Sequence, residues 1–155
     1  MKIARGLRNN NPLNIIKSPR IEWQGEVKPS TDRNFAQFET MGYGCRAALK
    51  LLNTYYHKHR CVTLSMIIRR WAPESENNVR AYIQTVSQLT GIGPHTLLPP
   101  MKEETKAVWC DIVLAMASVE CGLNALGREQ LAPSIEVGWQ LLREKGRVKS
   151  ERIIL

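Results

Sequence analysis

The sequence predicts a mainly α protein of the α+β kind, with a small β-hairpin near the N-terminus. Three observations carry this prediction. From Tyr43 onward, apolar residues return every three or four positions. Only residues 13–38 alternate apolar and polar positions, punctuated by Pro19, Gly25 and Pro29. A chain of 155 residues with 43% apolar content suits one core rather than two. The expected organisation is a single domain over 1–146 and a basic tail over 147–155.

The elements follow in order. Residues 1–12 are polar and basic, and Pro12 limits any helix there. Ile21, Trp23, Phe35 and Phe38 fit short strands. Ala47, Ala48, Leu51, Leu52 and Tyr55 mark a helix that fades in the basic run at 57–60. Thr63 is placed to cap a helix through Trp71, and Pro73 to stop it. A further helix ends at Gly91. Residues 91–100 connect it to a helix opened by Glu103 and Glu104, whose charges suit the N-terminal dipole. Ser134 is placed to cap a last helix ended by Gly146. Ile153, Ile154 and Leu155 of the tail are able to dock. About five helices result.

Charge and cysteine usage narrow the function classes. The chain carries 22 basic and 14 acidic side chains, a net +8, which attracts polyanions. Nucleic acid, anionic lipid and bacterial cell wall all qualify. No apolar run reaches 18 residues, so no membrane span is expected. The N-terminal residues lack an apolar h-region, so no secretory signal is expected. Cys45, Cys61, Cys110 and Cys121 show no CxxC spacing and read as reduced thiols. His57, His59 and His95 lack metal-ligand spacing, so neither a metal site nor a cofactor is expected.

The most informative segment runs from Ala107 to Gly122. Between Ala107 and Val119 only Asp111 and Ser118 are polar, and apolar residues occur all round the helix. Such a helix belongs in the middle of a domain. It runs into Glu120, with Gly122 placed to end it. Apolar surroundings and a helix C-terminus both favour the neutral acid, which is what a general acid needs. The competing reading is a glutamate that turns out to solvent at a helix end.

At these residues the chain resembles a phage family of lysozyme-like proteins that degrade peptidoglycan. RGLRNNNPLNI at 5–15 matches the family opening, and Trp23-Gln24-Gly25 its Trp-x-Gly. FAQFETMGYGCRA at 35–47 matches a Phe-rich element leading into a Gly-x-Arg-Ala helix. RWAPESENNVRAYI at 70–83 matches Trp-Ala-Pro…Glu-Asn…Tyr, and Glu120-Cys121-Gly122 the terminal Glu-Asn-Gly. The match covers roughly 5–142. Leu13, Val119 and Cys121 depart from the family's Gly, His and Asn. The last two departures make the site drier or mark a weakened enzyme.

The resemblance implies a lysozyme-like fold with its parts in circularly permuted order. Lysozyme-like enzymes carry the catalytic Glu at the end of the first long helix, whereas here that helix comes last and the Asn-rich turn first. A shared reacting centre then requires Glu120 within about 10 Å of Asn10 or Tyr82. It implies Glu120 as the acid on the leaving glycosidic oxygen. Glu26 and Glu39 are candidates for a second carboxylate, each also readable as a solvated charge. Without one, a lytic transglycosylase route follows, in which one Glu serves as acid and then base. Asn9, Asn10, Asn11 and Asn14 suit amino-sugar amides, or they simply form turns. Trp23, Phe38, Tyr43 and Tyr82 are candidates to stack on sugars; Asn77 joins Tyr82 as a cleft residue. Trp71 reads more readily as core.

The expected function is cleavage of peptidoglycan by a transglycosylase or muramidase, as a monomer, without membrane insertion or nucleic acid. Synthesis in the bacterial cytoplasm without a signal peptide, with action at the cell wall, periplasm or on a virion, is the matching location. A non-catalytic virion or wall-binding module is the alternative. A nucleic-acid binder is the weakest reading, because the basic residues are scattered without a recognition motif.

Overall fold

The computed structural model describes residues 3–72 and 75–144, with the side chain of Asn77 excepted. Pro73, Gly146 and the 147–155 tail therefore lie outside the described residues. Among those described, the protein is mainly helical, with one small antiparallel sheet.

A single turn, α1 (Arg5–Arg8), leads into the Asn-rich segment. The sheet has two short strands, β1 (Glu26–Val27) and β2 (Gln37–Phe38), paired Glu26 to Phe38 and Val27 to Gln37. An isolated bridge joins Ile16 to Phe35. Ile21 and Trp23, expected in strands, instead sit buried in irregular backbone before β1. Arg5 ties α1 to this region through two 2.8 Å hydrogen bonds to Asp32. Its guanidinium also lies over the Phe35 ring. The Arg5 bond, with further help from Asn9 and backbone N–H groups, holds the Asp32 carboxyl well below the usual carboxylate range.

Five longer helices complete the structure. They are α2 (Met41–Lys58), α3 (Leu64–Trp71), α4 (Glu76–Thr90), α5 (Lys106–Cys121) and α6 (Ala125–Arg143). Thr63 caps α3 by accepting from the Met66 N–H at 3.2 Å, as its position suggests. Gly91 and Gly122 end α4 and α5 in left-handed backbone, with φ of 74° and 65°. The last helix begins earlier than Ser134. Asn124 caps it, accepting from Gly127 N–H at 2.8 Å, and Pro133 lies inside it. The Pro133–Ser134 pair imitates a helix start, but tertiary packing carries the helix through it. Leu131, Ile135 and Trp139, on both sides of the proline, are all buried.

α5 is the centre of the domain. Trp109, Ile112, Val113 and Met116 have no exposure at all. Burying each such side chain contributes about 1.5–3 kcal/mol. α5 packs against α4, α6, α2 and α1, and α2 packs along α6. Two close approaches position the site. A Cβ on Gly44 would fall 1.8 Å from the Asn10 carbonyl oxygen, so only glycine lets α2 meet the Asn-rich turn. Gly138 likewise lets α6 approach the backbone of Arg46, where a Cβ would stand 2.7 Å from its nitrogen. The four cysteines are free thiols. No helix among the described residues is long and apolar enough to cross a membrane.

Candidate functional site

Glu120 occupies the last turn of α5 and is half-buried. Its carboxyl is not surrounded by apolar groups alone. Asn14 donates from Nδ2 to Oε1 at 3.0 Å. The Tyr82 hydroxyl donates to Oε2 at 3.0 Å. Three segments far apart in the chain therefore converge on one carboxyl, and Tyr82 meets the proximity that a shared centre requires. Two donors fix the plane of the carboxyl, which is what a proton-transferring group needs.

Each donor is placed by its own local chemistry. Tyr82 lies on the buried face of α4 with Val79, Ile83 and Val86, a helical spacing turned toward α5. Burial, and then the charge and hydrogen bond of Glu120, push its phenol well above its ordinary value, so it stays a donor. Asn14 adopts left-handed backbone, φ 53°, which Asn tolerates better than most residues. Its N–H donates to the Asn11 carbonyl at 3.1 Å. Gly6 makes room beside it. A Cβ there would stand 2.8 Å from Cys121 Sγ and from the Asn11 carbonyl oxygen, and 3.0 Å from Asn14 Oδ1. The Cys121 thiol closes the back of the site by donating to the Pro12 carbonyl at 3.3 Å. Burial, and then the neighbouring Glu120 charge, push this thiol up to about 11, so it is no nucleophile at neutral pH.

Most of the other candidate residues serve the turn and the hairpin. Asn9 is buried and donates to Asp32 Oδ2 at 3.0 Å. Asn11 is fully buried, donating to the Ile15 and Ala36 carbonyls and accepting from the Ile15 N–H. Asn10 donates to the Phe38 carbonyl at 3.0 Å. The Asn10 and Asn11 amides bond backbone carbonyls, the Asn9 amide bonds the Asp32 carboxylate, and Asn14 is the one that reaches Glu120. Trp23 and Phe38 are buried, and Trp23 forms part of the wall of the small cleft beside Asn14. Tyr43 packs over Gly25. Glu26 accepts from the Trp23 N–H at 3.0 Å and lines a separate cavity of about 550 Å³ with Lys17 and Lys28. Glu39 is exposed beyond β2. The Asn77 side chain lies outside the described residues.

Asn14 also lines a cleft of about 220 Å³ with Ile16, Tyr55 and Trp71 among its walls. Trp71 is half-buried and donates from Nε1 to the Leu13 carbonyl at 3.3 Å, which places the indole against the Asn-rich turn. Tyr55 and Trp71 meet edge to face at 5.6 Å. Helical spacing made both aromatics look like core. The available clue was that Trp71 directly follows Arg69 and Arg70, at the polar end of its helix. Larger cavities of about 470 and 650 Å³ lie elsewhere and include none of Asn14, Tyr82 and Glu120.

No family model matches the chain. It is 36% identical over 138 residues to Protein P5 of Pseudoalteromonas phage PM2, across 88% of this chain and 82% of that protein. At that identity and coverage, the chain belongs to the phage protein family that includes Protein P5.

Proposed function

We propose that the protein cleaves the glycan strand of bacterial peptidoglycan, with Glu120 as its general acid and base. The observation that carries this reading is the Glu120 carboxyl gripped by Asn14 and Tyr82 beside an aromatic cleft. Protonated Glu120 gives its proton to the glycosidic oxygen as the bond from that oxygen to the anomeric carbon breaks. The carboxylate then takes a proton from the hydroxyl that attacks the anomeric carbon, which regenerates the acid. With Asn14 and Tyr82 orienting one carboxyl, we favour the single-carboxylate route of a lytic transglycosylase, in which the attacking hydroxyl belongs to the sugar itself. The element order supports a lysozyme-like arrangement in permuted order: Asn-rich turn, hairpin, Tyr-bearing helix, and last the helix ending in Glu. A relative encoded by a phage fits a protein acting on the wall of a bacterial host.

The test is digestion of purified peptidoglycan followed by mass analysis of the products. Chain ends lighter by one water indicate transglycosylation, and hydrated ends indicate a muramidase. Glu120→Gln is expected to abolish clearing while leaving the melting curve nearly intact. Clearing by the Gln variant would refute Glu120 as the acid. Wall binding without any cleavage by the native protein would leave a wall-binding module instead.

A further inference from the structure

We propose that Trp71 is a positioning residue for Glu120. Its indole N–H holds the peptide group that sets Asn14, and through Asn14 the plane of the acid. This rests on the glycan-cleaving reading and adds a residue to the machinery of the same site.

The backbone on both sides of Asn14 is pinned. Residues 11–14 form a turn closed by the Asn14 N–H on the Asn11 carbonyl at 3.1 Å. Pro12 takes its second position, where proline is favoured. The peptide group between Leu13 and Asn14 therefore has its N–H fixed. Its carbonyl is fixed separately, by Trp71 Nε1 at 3.3 Å. The next peptide group is held by the Ile15 N–H on Asn11 Oδ1 at 2.9 Å. Two pinned peptide planes fix the direction in which the Asn14 side chain leaves the backbone, and that side chain donates to Glu120 Oε1 at 3.0 Å. The arrangement holds Asn14 at φ 53°, which costs energy for any L residue. A carbonyl released by Trp71 lets the first plane turn and that strain relax, which carries the amide off the carboxyl.

Trp71 is itself firmly placed. Ile67 and Ile68, four and three positions earlier, are fully buried and seat α3 on the core. Tyr55 meets the indole edge to face at 5.6 Å. Trp109 and Trp139 also donate their indole N–H groups, but to Pro99 and Glu103, and both rings are buried. Trp71 is half-buried and forms part of the wall of the cleft beside Asn14. One ring thus belongs to both the cleft and the turn, which joins the seating of a substrate to the setting of the acid.

The experiment replaces Trp71 with benzothienylalanine, which keeps the shape of tryptophan with sulfur in place of the N–H. Digestion of soluble glycan strands is measured as kcat and KM, alone and in an Asn14→Ala background. The kcat is expected to fall roughly threefold to tenfold, as for one lost hydrogen bond, with KM unchanged. Beside Asn14→Ala the same replacement should cost nothing further. Trp71→Phe should reproduce the fall in kcat. An unchanged kcat, a rise in KM alone, or a full additional loss beside Asn14→Ala overturns the proposal. A second readout does not depend on cleavage. The NMR signal of the Asn14 side-chain amide, assigned by its loss in Asn14→Ala, should shift on the replacement. An unmoved signal overturns the proposal whether or not the protein digests glycan. Native protein that leaves glycan intact while the signal shifts removes only the catalytic reading.

Discussion

Tyr82→Phe isolates the grip on Glu120. The ring is buried, with 7% exposure, so phenylalanine fills the same space and only the hydroxyl is lost. That hydroxyl makes one close hydrogen bond, 3.0 Å to Glu120 Oε2; the Met116 carbonyl, at 3.5 Å, is too far to count for much. A hydrogen bond to a charged group is worth about 1.5–3 kcal/mol. Glu120 is half-buried, so water partly replaces the phenol and the lower end of that range applies. A loss of about 1.5 kcal/mol in positioning slows catalysis roughly tenfold. Stability should fall by about 1 kcal/mol, which lowers Tm by about 2–4 °C in a chain of this size. The assay pairs initial rates of peptidoglycan clearing with calorimetry. An unchanged rate with a lowered Tm would show that the hydroxyl supports the fold and not the reaction. A fall in Tm beyond about 10 °C would show that the ring itself had moved, contrary to the packing described.

Other outcomes follow from the same geometry. Gly6→Ala places a methyl group against Cys121 Sγ and Asn14 Oδ1, so clearing should fall sharply because Asn14 is pushed off Glu120; full activity would mean Asn14 does not orient the acid. Gly44→Ala should cost more than about 3 kcal/mol, read as a lower urea midpoint, because its methyl meets backbone that cannot swing away. Raising the pH under reducing conditions should lower the urea midpoint. Burial pushes Cys45 up to about 12 and Cys110 and Cys121 to about 11, whereas unfolded thiols ionise near about 8.5. The raised values stabilise the fold fully below about pH 8.5, and that contribution is lost as the unfolded chain ionises between there and about pH 11. A midpoint that rises over that interval would contradict the burial of these thiols.

The parts legible in the sequence were those with a local cause. A helix apolar on every side had to be central, and a glycine two residues past Glu120 had to end it. The thiol groups and the Thr63 cap were likewise written in short stretches. What escaped depended on partners distant in the chain. Asn9 and Asn11 carry the same amides as Asn14, and only the fold decides that Asn9 meets the Asp32 carboxylate, Asn11 two backbone carbonyls and Asn14 the Glu120 carboxyl. Trp23 and Trp71 lie far apart in the chain and line one cleft, Trp23 buried and Trp71 half-buried, a meeting that only the fold decides. The start of α6 is not legible locally: Pro133 followed by Ser134 resembles a helix opening, while Leu131, Ile135 and Trp139 bind the helix to the core across the proline. Helical pairing of Tyr82 with Glu120 could be inferred from a resemblance, but not from either residue alone.

The Asn14 amide and the Glu120 carboxyl stand 106 positions apart along the chain. During synthesis the first of them leaves the ribosome long before the second exists. A nascent or truncated polypeptide lacking its final third therefore has no assembled centre, however well its early helices form. Two fragments divided between α4 and α5 should each be inert, and mixing them should restore whatever chemistry the intact chain performs.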